Sequence, residues 1–131
     1  KSYRDRGLTP PSEDPLAITA IILKNLKKYM TAGPVIAMVW EGAHAVELVR
    51  KVTGGTEPRG AQVGTIRGDF VVDSYVMSDN DDRAVRNLIH GSGSVEEANM
   101  EIPHWFSDNE IIDYKVSRED VMYAKELEGI L

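Results

Sequence analysis

The sequence contains no cysteine among its 131 residues. This absence excludes a disulfide framework, a cysteine-ligated zinc site and a thiol nucleophile, and it is typical of proteins from a reducing compartment. Long apolar runs are absent too, because the longest, residues 35–40, is far shorter than the roughly 20 residues that span a bilayer. The first residues do not form a signal-peptide pattern. We therefore expect a cytoplasmic protein that has no association with membranes.

Basic side chains are outnumbered, since 21 acidic residues against 15 lysines and arginines give a net charge of -6. A protein that coats nucleic acid needs a basic surface to displace counterions from phosphates, so the composition argues against a nucleic-acid partner. One stretch reverses the balance, with Arg50, Lys51, Arg59 and Arg67 against Glu57 alone. That local charge suits either a small phosphorylated ligand or an ordinary solvated loop, and spacing alone does not choose between them.

Several motifs of phosphate and metal chemistry are missing from the sequence. It has no GxxxxGK[ST] loop, no GxGxxG turn that opens a helix, no GxSxG elbow and no HExxH pair. A Walker loop, a Rossmann dinucleotide site, a hydrolase nucleophile and a histidine metal site are therefore not indicated. If the protein binds or transfers phosphate, arginines and a histidine must provide the contacts and the chemistry.

The length of 131 residues, without repeats or linkers, indicates a single domain over residues 1–131. The helix signals within it are clear. Asp14 as a cap and Pro15 at the first position predict a helix that ends before Gly33. A second helix is expected from Ala45 to the glycines at 54–55, and a capping box of Ser94 with Glu97 predicts a third. Pro103 is expected to interrupt that third helix.

The strand signals are shorter. Residues 35–40 lack polar alternation, which predicts a strand buried in the middle of a sheet. A long loop to residue 69, an extended segment at 70–76, a helical turn at 79–86 and a last strand centred on 88–89 should follow. The tail at 108–131 is expected to be helical in pieces. Strands separated by helices indicate α/β or α+β layering.

Three histidines are present, and His90 has the most open context. It precedes Gly-Ser-Gly-Ser, so a bulky phosphate could approach the ring, and a neutral imidazole is a capable nucleophile. The pattern alone favours a strand-end histidine bonded to nearby backbone. His44 fits a surface or capping position, and His104 fits packing at a helix end.

The segment Asn87-Leu-Ile-His-Gly-Ser92 resembles the NxxHGS signature of nucleoside diphosphate kinases. Residues 29–42 are similar to the family's helix-to-strand segment, and residues 64–70 to its arginine loop. These three collinear blocks make a specific match that covers nearly the whole chain. The resemblance implies an α+β (α/β sandwich) fold, in which helices cover a ferredoxin-like antiparallel sheet.

The same resemblance implies an activity: transfer of the γ-phosphate of a nucleoside triphosphate to a nucleoside diphosphate, in two ping-pong steps through phosphorylated His90. Glu101 would hold the ring nitrogen that does not react, and Ser92 would contact the same region. Taken singly, Glu101 fits an ordinary exposed helix residue and Ser92 a turn residue.

For the nucleotide, the resemblance implies binding by Arg50, Thr56, Arg67 and Asn87. It also implies a Mg²⁺ ion carried by the phosphates, with no protein metal ligand, and a homo-oligomer that is a hexamer or a tetramer. Any one of these arginines, judged alone, is more often a surface residue.

Three departures from the family motivate an alternative. The N-terminal strand with its VKPD-like lysine motif is absent, so we expect these residues to be part of a longer protein. Gly93 stands where the family often has an acidic residue, and Pro103 could bend the helix that carries Glu101. The alternative function is a nucleotide-binding or assembly module of the same fold with impaired catalysis.

Overall fold

The computed structural model describes residues 2–5, 9–119 and 122. Within them lie six α-helices, which we number in chain order: α1 Ser2–Asp5, α2 Pro15–Met30, α3 Ala45–Thr53, α4 Ile66–Phe70, α5 Tyr75–Asn80 and α6 Val95–Trp105. Short 3₁₀ turns occur at Pro58–Gly60 and Asp108–Glu110. The part of the chain described contains no β-strand. The helical half of the α+β prediction is therefore present, and the sheet is not confirmed.

The first long helix, α2, begins as its sequence predicts. The Asp14 side chain accepts a hydrogen bond from the Leu16 amide at 3.0 Å, which satisfies one of the unpaired donors of the first turn. Pro15 occupies the first helical position, where its missing N–H costs nothing. The helix ends at Met30, shortly before Gly33. Its last turn carries Tyr29 toward the segment around residue 88.

The segment at 35–40 differs from its prediction as a strand in the middle of a sheet. It forms neither a helix nor a strand, and no ladder pairs it with another segment of the described chain. Its apolar side chains are exposed, with Ile36 at 88%. A strand is defined by hydrogen bonds to a neighbouring strand, and the apolar composition of one segment does not show whether that neighbour is in place.

The next helix, α3, follows its prediction, whereas the loop beyond it contains more structure than we expected. Gly54 ends α3 at φ 84°, a left-handed conformation that glycine adopts without steric cost. A 3₁₀ turn and α4 lie within the predicted loop. The Thr65 hydroxyl caps α4 by accepting a hydrogen bond from the Gly68 amide at 3.1 Å. Because the surrounding sequence is rich in glycine, we predicted a loop here and not this helix cap.

The prediction of a helical turn at 79–86 was wrong in position, because the helix there, α5, ends at Asn80. Its cap is Ser74, whose hydroxyl accepts from the Met77 amide at 3.2 Å. Asp79, the first residue of the predicted turn, instead lies at the end of α5. The extended segment predicted at 70–76 is shorter in the structure, where only the residues between α4 and α5 lie outside helices.

The last helix, α6, begins after Ser94 as predicted, with the Ser94 hydroxyl accepting from the Glu97 amide at 3.2 Å. The predicted interruption at Pro103 was wrong, since α6 continues to Trp105. Pro103 lies in the final turn, so its missing donor removes only one bond near a helix end. The predicted helical pieces of the tail beyond Glu119 lie outside the described residues, apart from Met122.

The buried side chains of the described residues are mostly polar: Thr53, Thr65, Arg67, Asp73, Ser74 and Ser78. Asp73 is the centre of one buried cluster. Its carboxylate accepts from the two terminal nitrogens of Arg83, Nη1 at 2.7 Å and Nη2 at 3.0 Å, and from the Arg86 amide at 2.7 Å. Its carbonyl accepts from the Arg59 amide at 3.0 Å. Asp73 thus ties three segments together just before Asn87.

Candidate active site

His90 presents its ring to solvent while one ring nitrogen is held. Its side chain is 70% exposed. The Nε2 atom lies 2.9 and 3.1 Å from the two carboxylate oxygens of Glu101 on α6. The loop of small residues between His90 and α6 lets the carboxylate reach back over 11 residues. One side of the imidazole is therefore fixed and the other is open.

The protonation of Glu101 determines which ring nitrogen is free. The Ser92 hydroxyl donates to Glu101 Oε2 at 2.6 Å. That bond, and then the one from His90, lowers the pKa of the Glu101 carboxyl below its ordinary value. An ionised carboxylate can only accept hydrogen bonds, so Nε2 must carry the hydrogen. In a neutral ring this leaves a lone pair on Nδ1, which is the requirement for a nucleophile.

The loop between His90 and α6 is closed by Glu97. The Gly93 amide donates to Glu97 Oε2 at 2.7 Å, so the carboxylate reaches one residue beyond the Ser94 position that a capping box would use. A Cβ atom at Gly93 would lie 2.7 Å from that same oxygen. Any side chain at 93 would therefore displace the Glu97 carboxylate from its present position.

The backbone before His90 makes a tight turn where we predicted a strand. The Ile89 amide donates to the Asn87 carbonyl at 2.7 Å, and the residue between them, Leu88, has φ 67°. These features define a γ-turn of the rare and strained kind. The prediction of a strand at 88–89 was wrong because two apolar residues do not specify extended backbone when side chains from elsewhere bind the turn.

Arg67 binds this turn from α4. Its Nε donates to the Asn87 carbonyl at 3.2 Å, its Nη2 to the Ile89 carbonyl, and its Nη1 to the Gly54 carbonyl at 2.9 Å. The residue is only 8% exposed. A guanidinium has five N–H groups, so one hydrogen on each of Nη1 and Nη2 is left for another acceptor. Arg67 connects the end of α3 to the turn before His90.

A second positive charge lies close to Arg67. Burial first, and then the charge of Arg50, lower the pKa of the Arg67 guanidinium. Arg50 is exposed in the last turn of α3. Two like charges are placed together only at a cost, which a bound anion would offset.

The remaining predicted residues have looser placements. Thr56 is exposed, two residues beyond the Gly54 carbonyl that Arg67 binds. Asn87 is half-buried, and it is its backbone carbonyl that joins the Arg67 network. The structure thus joins His90, Ser92 and Glu101 by side-chain hydrogen bonds and connects Arg67 and Asn87 through the backbone.

Sequence reasoning missed two groups near the site. The hydroxyl of Tyr29 accepts from the Leu88 amide at 3.1 Å, although the sequence indicated no role for Tyr29 beyond the predicted helix that contains it. Buried Asp73 and half-buried Arg83 form the ion pair that leads into Asn87. No local signal separates either from ordinary residues, because the partners are distant in sequence.

No cluster of three or more His, Cys, Asp or Glu side chains in the described part of the chain has an arrangement that could bind a metal ion. None of its helices combines the length and the apolar character needed to cross a bilayer.

Known proteins are similar to this chain over most of its length. The family model described as nucleoside diphosphate kinase matches residues 19–111. The chain is 43% identical over 117 residues to a nucleoside diphosphate kinase of Pyrobaculum aerophilum, covering 86% of this chain and 64% of that protein. It is also 43% identical to nucleoside diphosphate kinase A of Rattus norvegicus, covering 94% of this chain and 80% of that one.

Solved structures agree with the sequence matches. A crystal structure of an NDP kinase from Pyrobaculum aerophilum superposes with a TM-score of 0.79, at 43% identity, over 86% of this chain and 64% of that one. The nucleoside diphosphate kinase of Borrelia burgdorferi, solved as a transition-state mimic with vanadate and ADP, gives 0.61 at 45% identity, over 63% and 49%. The chain thus spans just under two thirds of the Pyrobaculum relative.

Proposed function

The chain belongs to the nucleoside diphosphate kinase family, and on that premise we propose that it transfers the γ-phosphate of a nucleoside triphosphate to a nucleoside diphosphate through phosphorylated His90. The observation that carries the proposal is the exposed imidazole of His90, held at Nε2 by an ionised Glu101. That arrangement leaves Nδ1 unprotonated and accessible, as a nucleophile requires.

In the first step, the Nδ1 lone pair attacks the γ-phosphorus. An N–P bond forms, the bond from the γ-phosphorus to the β-bridging oxygen breaks, and the diphosphate leaves with that electron pair. The ring then carries a positive charge, which the carboxylate of Glu101 stabilises through Nε2–H. In the second step, a terminal oxygen of the acceptor diphosphate attacks the same phosphorus and releases the neutral ring. Ser92 acts indirectly, because its hydroxyl keeps Glu101 ionised.

Binding of the nucleotide falls to the predicted cationic and polar residues. We assign Arg50 and the two uncommitted hydrogens of Arg67 to the phosphates, since guanidinium groups stabilise the charge that migrates during phosphoryl transfer. Thr56 and Asn87 are assigned to the phosphate and sugar side. Magnesium prefers phosphate oxygens and water to all-protein cages, so it is proposed to enter as part of the magnesium–nucleotide substrate.

Labelling with a γ-phosphate-labelled triphosphate tests the assignment of His90. His90→Ala should abolish an acid-labile phosphoprotein, whereas His104→Ala, which removes an exposed histidine on α6, should label normally. Chasing the phosphoprotein with a nucleoside diphosphate should return the label to a triphosphate. Labelling that persists in His90→Ala would remove His90 from its role.

The alternative function, a nucleotide-binding module without turnover, can be distinguished from the kinase with the same protein samples. Calorimetry with magnesium–ADP measures binding independently of transfer. Tight binding without a labelled protein would favour the module. Glu101 contacts His90 even though the helix that carries Glu101 also contains Pro103. This contact favours the kinase over the module.

The family also implies the assembly, and we propose a homo-oligomer, either a hexamer or a tetramer. The exposed apolar side chains at 35–40 offer surface for contacts with other copies. Light scattering measures the mass directly, and a monomeric mass would contradict the proposal. The cytoplasmic location stays a prediction from composition.

A further inference from the structure

The turn before His90 needs an external restraint. Leu88 has φ 67°, which a side chain larger than glycine's adopts only under constraint. The hydrogen bond from the Ile89 amide to the Asn87 carbonyl closes the turn, but such turns are rare because this bond alone does not outweigh the strain. Something outside residues 87–89 must therefore keep the backbone in this conformation.

Two side chains bind the turn from different helices. Arg67 donates to the carbonyls of Asn87 and Ile89, which are the two ends of the turn. The central amide, that of Leu88, donates to the hydroxyl of Tyr29 at 3.1 Å. Tyr29 lies in the last turn of α2, 59 residues earlier in the chain, and is half-buried. The Tyr29 hydroxyl is thus the acceptor for the backbone amide of Leu88, the strained residue itself.

The position of this bond relates it to His90. Leu88 precedes His90 by two residues, so a return of Leu88 to negative φ would redirect the backbone that carries the imidazole. Glu101 holds the ring from the opposite side, at Nε2. Phosphoryl transfer depends on the alignment of the attacking nitrogen with the bond that breaks, and displacements of about 1 Å can cost two orders of magnitude in rate.

We propose that Tyr29 is a positioning residue for phosphoryl transfer, whose hydroxyl holds the Leu88 amide and thereby fixes the direction from which Nδ1 of His90 attacks. This inference rests on the proposed function. Tyr29 touches neither the substrate nor the reacting atoms; it acts through the turn. Its removal should therefore slow the chemical step and leave nucleotide binding unchanged.

Tyr29→Phe removes the hydroxyl and keeps the ring, and Tyr114→Phe does the same at an exposed tyrosine. In single-turnover labelling, Tyr29→Phe should form phosphohistidine about 10-fold more slowly, within the range expected for loss of a positioning contact. Its affinity for magnesium–ADP by calorimetry should stay within about twofold, since the contact is not to ligand. Tyr114→Phe should match the unmodified chain in both measurements.

A second background separates positioning from general stability. Leu88→Gly relieves the strain of positive φ, so Tyr29→Phe should slow labelling much less in the Leu88→Gly chain than in the Leu88 chain. A stability effect alone would give the same factor in both. Hydrogen exchange at the Leu88 amide reports the bond itself, and it should speed up in Tyr29→Phe.

Each result bears on one conclusion. Normal labelling of Tyr29→Phe, or an equal loss in both backgrounds, would overturn the role of Tyr29 and leave the kinase assignment intact. Failure of the unmodified chain to label at all would overturn the proposed function, and this inference with it. A slower rate in the Leu88 background alone, together with unchanged affinity, would support the inference.

Discussion

Replacing Asp73 with asparagine should destabilise the protein by about 2 kcal/mol at neutral pH. Hydrogen bonds from the Arg83 side chain are the main cause that lowers the pKa of Asp73 from 3.8 to about 2, against the opposing effect of burial. Each pKa unit corresponds to about 1.4 kcal/mol, so the fall of nearly two pKa units gives the estimate. The side chain is only 7% exposed, so solvent screening reduces it little.

The effect should depend on pH in a defined direction. Because folding depresses the pKa of Asp73, its contribution is fully present above 3.8 and is lost as the pH falls toward 2. Asparagine has no charge to lose. The difference between the Asp73→Asn and unmodified chains should therefore be constant from about pH 7 to about pH 5 and should shrink below about pH 4.

Urea unfolding across this pH range measures the difference, with Asp81→Asn as the matched control. Asp81 also pairs with Arg83, at 2.9 Å, but is 59% exposed, and exposed pairs contribute at most about 1 kcal/mol. The reasoning fails if Asp73→Asn differs from the unmodified chain by less than about 0.5 kcal/mol at neutral pH. It also fails if both variants cost the same, or if the Asp73 difference persists at low pH.

Three further predictions concern the site. Glu101→Gln should slow phosphohistidine formation about 10- to 100-fold, the usual cost of losing an orienting partner, and an unchanged rate would contradict the role. Because the pKa of Glu101 is lowered, the unmodified chain should lose this contribution only below about pH 4.5. Arg67→Lys should cost at least about 2 kcal/mol in urea unfolding, since one ammonium cannot span three carbonyls; a loss confined to activity would instead indicate a purely phosphate-binding arginine. Pro103→Ala should stabilise α6 by about 1 kcal/mol by restoring a backbone donor and leave labelling within about twofold, whereas a large change in rate would show that the proline shapes the site.

The helices illustrate what can be predicted locally. Asp14 with Pro15 marks the start of α2, and Ser94 marks the start of α6, because the capping oxygen and the amide that donates to it lie within three residues of each other. Thr65 and Ser74 act in the same way but were overlooked within segments assigned to a loop and an extended run. These errors were failures to recognise a local signal that the sequence does contain.

The strands illustrate the opposite case. Residues 35–40 have the composition of a buried strand, yet the described chain provides no partner for their backbone. At Leu88, apolar character suggested extended backbone, whereas distant side chains hold a turn. Pairing and strain depend on which segments meet, and composition carries no information about that.

By itself, the sequence determined the family, the helix starts and the residue types available for phosphoryl transfer, since these depend on motifs and near neighbours. Only the tertiary structure decided how they are used. It brought Glu101 to Nε2 of His90 over 11 residues, Arg67 to carbonyls 13, 20 and 22 residues away, and Tyr29 to an amide 59 residues away. Hydrogen bonds over such separations form only when the intervening elements pack in one arrangement, which is a property of the whole chain.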